Sequence, residues 1–160
     1  MPIRAILQHP DPALRVGCAV VVDFDASLRA MAADLLDTMY GAQGRGLAAP
    51  QVGLTCRMFV ADTGWKAGQP DPRVWINPVV TWAGPGEQVY EEACLSIAGA
   101  ARRLARPAQV ALAWADLAGV RHEGRFGGVQ AVILQHEADH LDGILMIDHP
   151  ALPYAPVTRP

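Results

Sequence analysis

Charged side chains are scarce in this sequence, making up 18% of its 160 residues, and aromatic side chains make up only 6%. Hydrophobic residues reach 51% and the formal net charge is −3, whereas disordered chains combine low hydrophobicity with high net charge. An extensively disordered chain is therefore excluded. Apart from a short basic run at 102–106, arginine and lysine do not cluster, so no direct nucleic-acid binding is expected.

Cysteine is also rare, and the three residues present are too few and odd in number for a disulfide framework. The sequence shows no secretory signal pattern, so we expect a reducing, cytoplasmic environment. No apolar run approaches the ~18 residues of a membrane-spanning helix, so no membrane association is expected. The length suits a single domain, which we expect to be a monomer.

The most informative feature is a pair of histidines, His136 and His140, with Glu137 between them. On an α-helix, residues four apart lie on one face about a turn apart, so both imidazoles can bind one metal ion. Neutral imidazole binds zinc and iron, and a neighbouring carboxylate is the usual general base in metal-assisted hydrolysis. The pattern predicts a metallohydrolase.

The same helical face continues backwards through Val129, Val132 and Ile133, so we expect it to point into the protein. The alternative is that the two histidines lie on the protein surface and have this spacing by accident. In that case the residues on the same helical face would not be expected to be hydrophobic. Histidine and glutamate side chains that are buried without partners are costly, which favours metal binding over that alternative.

A catalytic metal site needs a third protein ligand. Asp148 and His149 lie downstream, and Cys94 lies upstream in an alternating, strand-like stretch. A thiolate is a strong ligand for zinc and iron, although a free cysteine is more often a small buried residue. Cys18 and Cys56 have no potential ligand nearby in sequence, and we expect them to be buried hydrophobic residues.

A glycine-rich segment at 44–51 reads G-R-G-L-A-A-P-Q. Glycine lets a backbone approach a ligand closely, and the amide of Gln51 can donate to an oxyanion. Alone, this segment could equally be the end of a helix. It lacks the spacing of a phosphate-binding loop.

Together these segments resemble the three motifs of the peptide deformylase family. Those motifs are G-x-G-x-A-A-x-Q, matched at 44–51; E-G-C-L-S, matched at 92–96 with Ala93 in place of glycine; and Q-H-E-x-D-H-L-x-G, matched at 135–143. The likeness extends to about Asp148. It implies one catalytic domain at 1–148, followed by a short proline-rich tail at 149–160. It also implies an α+β fold with mixed or antiparallel sheets around the helix that carries the two histidines.

The resemblance further implies the chemistry. Cys94, His136 and His140 would hold a divalent metal, most often Fe²⁺, with Zn²⁺, Ni²⁺ or Co²⁺ as substitutes. Glu137 would carry the proton, while the Gln51 amide and the Leu95 backbone N–H would bind the oxyanion. The substrate would be an N-formylated peptide or nascent chain, from which formate is released. The residues expected to line its cleft are Gly44, Arg45, Gly46, Tyr90, Glu92, Ala93, Val129, Val132 and Ile133.

Three positions depart from the family's pattern. Arg45 and Tyr90 stand where the family usually has aliphatic residues of the methionine pocket, and Ala93 replaces glycine. Arg45 could recognise a carboxylate or extend into solvent. Ala93 would be strained only if its φ were positive. These positions motivate an alternative, an amidase of the same fold acting on another N-acyl group. A non-catalytic binding module is a third hypothesis, but it would need neither Glu137 nor Gln51.

Hydrophobic periodicity predicts a helix at 27–43 that stops at Gly44, and a metal-binding helix at about 127–141. Strands are predicted at 57–62, 74–77, 79–82, 88–96 and 110–114, and near 120–125. Arg102, Arg103 and Arg106 are expected on a solvated strand edge, although the resemblance suggests that one of them contacts substrate or pairs with Asp139.

Overall fold

The computed structural model describes residues 3–153. In this range the chain forms two α-helices and seven β-strands, joined by loops and short 3₁₀ helices. The helices are α1 (Ala26–Gly41) and α2 (Gly128–Leu141). The strands are β1 (Gly46–Ala48), β2 (Met58–Ala61), β3 (Arg73–Ala83), β4 (Glu87–Cys94), β5 (Ile97–Pro107), β6 (Gln109–Ala115) and β7 (Arg121–Gly127).

The strands form two antiparallel sheets. One has five strands in the order β1-β2-β3-β6-β7, and the other is the β4-β5 hairpin. Helix α2 contacts strands of both sheets. This arrangement confirms the predicted α+β class.

Alternating side chains of β2 divide the core in two, because successive side chains of a strand point to opposite faces. Phe59 and Ala61 pack in the cluster that includes α2, while Met58 and Val60 pack in the cluster that includes α1. Helix α2 is buried along most of its length, as expected for a helix covered on several sides. The histidine pair therefore lies inside the protein.

Helix α1 is shorter than predicted and ends at Gly41. Gln43, with φ 58°, takes the left-handed conformation that often follows the end of a helix. The Gly44 N–H then donates to the Met39 carbonyl at 2.9 Å, which closes the helix end.

The strand predictions differ from the structure in three places, the first of which is β1, a strand that was not predicted. The segments at 74–77 and 79–82 form the single strand β3, which is irregular at two points, one of them beside Asn77 with φ 49°. The Asn77 side chain bonds both the N–H and the carbonyl of Val21, at 2.8 Å each. Strand β5 was missed over most of its length because its arginines, alanines and glycine show no alternation. The solvated edge expected there is wrong for Arg106, which is 5% exposed.

The predicted tail is described only in part. The Leu152 N–H donates to the Arg103 carbonyl at 2.9 Å, so this part of the tail lies against β5. Residues 154–160 of the predicted tail lie outside the described residues. Within 3–153, no helix has both the length and the apolar character needed to cross a membrane.

At Gly143, the last position of the third motif, the backbone conformation and the surrounding space favour glycine over any residue with a side chain. Its φ is 71°, and a Cβ there would lie 2.5 Å from the Arg15 carbonyl oxygen. We expect Gly143→Ala to lower the free energy of unfolding by ~2 kcal/mol or more, because left-handed strain adds to a clash with backbone.

Gly128→Ala is the matched control in a urea titration. Gly128 also has positive φ, at 60°, but a Cβ would meet nothing within 4 Å. Strain alone should cost ~1 kcal/mol there. Equal losses in the two variants would show that the Arg15 carbonyl moves aside and that the clash contributes nothing.

Candidate metal and active site

Three potential ligand atoms converge between β4 and α2. Cys94 is the last residue of β4, because a two-residue turn follows it before Ile97 pairs back, and His136 and His140 occupy successive turns of α2. Their ligand atoms all lie within 4.8 Å of one another, and all three side chains are buried. Cys94 Sγ is 3.5 Å from His140 Nε2. One sulfur and two imidazole nitrogens thus face a common centre.

Glu92 orients the His136 imidazole by contacting the ring nitrogen that faces away from the common centre. Its Oε1 lies 2.9 Å from His136 Nδ1, which leaves the opposite ring nitrogen for the centre. Arg106 donates to both oxygens of Glu92 and, through a third nitrogen, to Asp139 at 2.9 Å. Burial alone would raise the pKa of Glu92, but the bonds to His136 and Arg106 outweigh it and lower the pKa to about 2. Glu92 is therefore a carboxylate at neutral pH.

The electrostatics of the centre suit a cation. Burial lowers the pKa of His136, but hydrogen bonds to Cys94 and Glu92 outweigh burial and raise it. Burial lowers the pKa of His140 to about 3, so this imidazole is neutral and able to act as a ligand. The centre favours one positive charge beside a neutral imidazole, and its set of one sulfur and two imidazole donors fits a divalent metal ion.

Glu137 stands beside the cluster with an unused oxygen. Its Oε2 is buried and has no hydrogen-bond partner among residues 3–153; the same holds for His140 Nδ1. Burial raises the pKa of Glu137 to about 7, the range in which a carboxyl group can both accept and release a proton. A Cβ on Gly46 would lie 2.5 Å from Glu137 Oε1, so the glycine at this position of β1 makes room for the carboxylate.

Gln51 has a fixed orientation. Its side-chain oxygen accepts from the Ala48 N–H at 2.8 Å, so its NH₂ group points to the cluster. That nitrogen lies 3.1 Å from Ser96 Oγ and 3.7 Å from Cys94 Sγ. A neutral donor is therefore held beside the candidate centre.

A cleft of about 270 Å³ opens over this cluster, and nearly all the predicted site residues line it. They are Gly44, Arg45, Gly46, Gln51, Tyr90, Glu92, Ala93, Cys94, Leu95, Val129, Val132, Ile133, His136 and Glu137. His140 is the exception; it is 1% exposed and does not line the cleft.

The structure decides between the two expectations for Ala93. In the described range, only Gln43 and Asn77 among non-glycine residues have positive φ. Ala93 lies in β4 with its side chain exposed, so its extra methyl group is tolerated without backbone strain.

Sequence reasoning missed several residues around the cleft. Gln43, Lys66 and Glu91 also line it, and Ser96 contacts the Gln51 amide. Lys66 belongs to the loop after β2 and carries no motif that could have indicated this place. Arg106 was considered only as one of three arginines, and its pairing with Glu92 was not foreseen.

Comparison with known proteins identifies the family. The family model for polypeptide deformylase matches residues 3–153. The chain belongs to the peptide deformylase family. A peptide deformylase of Rhizorhabdus wittichii is 46% identical over 154 residues, covering 93% of this chain and 87% of the relative. One from Mesorhizobium japonicum is 44% identical, covering 93% and 85%.

Solved peptide deformylases share the fold. The enzyme from Legionella pneumophila superposes with a TM-score of 0.88 at 39% identity, covering 94% of this chain and 87% of that one. The enzyme from Thermotoga maritima gives a TM-score of 0.90 at 34% identity, covering 95% and 100%. Sequence and structure thus place this chain among the metal-dependent hydrolases that remove N-terminal formyl groups from peptides. This supports the first of the three functional hypotheses.

Proposed function

We propose that this cleft deformylates formyl-methionyl peptides with a divalent metal ion held by Cys94, His136 and His140. The observation that carries the proposal is the convergence of their ligand atoms within 4.8 Å, beside a buried carboxylate that has an unused oxygen. Thiolate and imidazole suit iron, zinc, nickel and cobalt alike. We propose Fe²⁺ in the cell, on the strength of the family resemblance.

A bound divalent cation supplies Lewis acidity toward water and the formyl carbonyl. Glu137 takes a proton from the attacking water and passes it to the amine nitrogen. The water oxygen bonds to the formyl carbon and the C–N bond breaks, so the products are formate and a free amine. The side-chain N–H of Gln51 and the backbone N–H of Leu95 stabilise the negative charge that develops on the formyl oxygen.

Two sheet edges support the proposed pose of the substrate. Strand β1 is an edge of the five-stranded sheet, and β4 belongs to the two-stranded one. Gly46 of β1 and Ala93 of β4 both line the cleft. A peptide in extended conformation can pair with such edges through its backbone. Val129, Val132 and Ile133 provide apolar surface for the methionine side chain.

The remaining expectations stand as proposals: a single catalytic domain at 1–148, a monomer in the cytoplasm, and no direct nucleic-acid binding. The chain's net charge of −3 supports the last of these.

Formate release from formyl-Met-Ala-Ser by anaerobically purified, Fe²⁺-loaded protein tests the function. We expect release to stop when a chelator removes the metal and to return when Fe²⁺ is restored. A folded, metal-loaded protein that releases no formate would contradict the proposal.

Gln51→Glu tests the oxyanion donor. Glutamate keeps the oxygen that accepts from Ala48 but lacks the donating NH₂ group. We expect kcat to fall by ~10²–10³-fold with metal content unchanged. The control is Gln109→Glu, which makes the same change at an exposed residue of β6 outside the cleft. An unchanged kcat would assign the oxyanion to the Leu95 N–H alone.

A further inference from the structure

Two cations stand at the rim of the cleft and are not used by the proposed chemistry. Arg45 and Lys66 line the cleft together with apolar residues of α2, and both cations are exposed. Within residues 3–153, the Arg45 guanidinium takes part in no ion pair or hydrogen bond, unlike those of Arg4, Arg15 and Arg57, which pair with aspartates.

Both cations are carried by anchored backbone. The Arg45 carbonyl accepts from the Asp62 N–H at 2.9 Å. The Trp65 indole N–H donates to the Gly44 carbonyl at 2.9 Å, and its ring meets Tyr40 edge-on at 5.3 Å. This places Lys66, whose ammonium lies 5.6 Å from the Trp65 ring centroid, on the loop that closes against the glycine-rich segment. The rim is therefore a fixed feature of the cleft.

The depth of the candidate centre determines which part of a substrate meets this rim. The formyl end must reach the buried side chains of Cys94, His136 and Glu137, so the rest of a bound peptide leaves the cleft past its exposed lining residues, which include Arg45 and Lys66. Among the described residues that line the cleft, Glu91 is the one exposed carboxylate beside these two cations; Glu92 and Glu137 lie deeper and are buried.

We propose that Arg45 and Lys66 select formylated peptides that carry a carboxylate just beyond the formyl-methionyl residue. This inference rests on the proposed function. The carboxylate can be an acidic side chain at the second residue or the free C-terminus of a very short peptide. An exposed ion pair contributes modestly, so two of them give a preference of about 3- to 10-fold in kcat/KM at low salt. Salt screens it, because the Debye length falls to ~3 Å at 1 M.

The test compares formyl-Met-Asp-Ala-amide with its isosteric neutral partner, formyl-Met-Asn-Ala-amide. We expect the aspartate peptide to be preferred about 3- to 10-fold in kcat/KM at low salt, mainly through KM. The preference should shrink toward 1 at 1 M salt and in the variant Arg45→Gln/Lys66→Gln. Arg29→Gln, which removes an exposed cation of α1 outside the cleft, is the matched control and should keep the preference.

Formyl-Met-Ala as the free acid and as the amide separates the two sources of carboxylate. A preference for the free acid that is lost in the double variant would show that the two cations recognise the C-terminal carboxylate of the peptide. A preference for aspartate that is lost in the same variant would show that they recognise an acidic side chain. A ratio of 1 for both pairs, or a preference that survives the double variant, overturns the inference.

Equilibrium binding keeps this test independent of turnover. The dissociation constants of the same peptides for the metal-loaded Glu137→Gln protein should differ by the same factor. If no peptide releases formate, the proposed function fails while the ratio of dissociation constants still decides the role of the rim.

Discussion

Replacing Glu137 with glutamine is expected to lower kcat for formate release by ~10²–10⁴-fold, the usual contribution of a positioned acid or base. Glutamine has nearly the same shape but cannot carry the proton from the attacking water to the leaving amine. Because Glu137 is not one of the three converging ligands, metal content should stay the same. Formate release and metal analysis on the same preparation check both expectations.

The stability of this variant separates catalysis from structure. Burial raises the pKa of Glu137 to about 7, and its Oε2 has no hydrogen-bond partner in the described range. A carboxyl group whose pKa is higher in the folded chain than in the unfolded chain weakens the folded state above its unfolded pKa. In the metal-free protein at pH 7–8, Glu137→Gln should therefore unfold at the same or a higher urea concentration.

The contrary results are equally informative. If the variant loses activity together with metal, Glu137 supports the ligands and its role as proton carrier is contradicted. Glu123→Gln is the matched control, since it makes the same exchange at an exposed glutamate of β7, away from the cleft. It should change neither kcat nor metal content.

The sequence made the candidate centre predictable because its chemistry is concentrated in short local patterns. His136, Glu137 and His140 lie within two turns of one helix, so the helical period alone places them together. Cys94 could be linked to them only through the family resemblance, because it lies 42 positions before His136 in the sequence. No local rule says which strand end will face a given helix.

The supporting residues could not be predicted, because they depend on how separate segments meet. In the β4-β5 hairpin Glu92 stands opposite Arg102, and Arg106 stands opposite Gln88. The residue that binds Glu92 is nevertheless Arg106, whose long side chain reaches along the sheet. Strand pairing would have indicated the wrong arginine. Likewise, the position of Lys66 beside the cleft depends on the hydrogen bond from the Trp65 indole to the Gly44 carbonyl, and no sequence pattern predicts this bond.

Replacing Arg106 with methionine is expected to have the largest effect on stability, a loss of ~3–5 kcal/mol. Arg106 is 5% exposed and donates to both oxygens of Glu92 and to Asp139. Methionine fills part of the space but leaves the buried Glu92 carboxylate without its cation. A urea titration measures this loss. Arg103→Met on the same strand is the control, because the Arg103 side chain donates to the Pro153 carbonyl in an exposed hydrogen bond.

The same change should also weaken metal binding by ~10–100-fold, because Arg106 holds the carboxylate that orients His136. A competition titration against a chelator measures the affinity under conditions where the variant is folded. Unchanged affinity would mean that Glu92 holds the imidazole without help from Arg106.

The double variant Glu92→Gln/Arg106→Met separates the two roles of Arg106. Glutamine removes the uncompensated charge and keeps an oxygen that can accept from His136 Nδ1, so part of the lost stability should return. Metal affinity should remain low, since a neutral amide raises the basicity of the imidazole less than a carboxylate does. Recovery of stability without recovery of affinity would show that the buried charges of Glu92 and Arg106 serve the metal site more than the fold. Recovery of both would show that only the unpaired charge had been harmful.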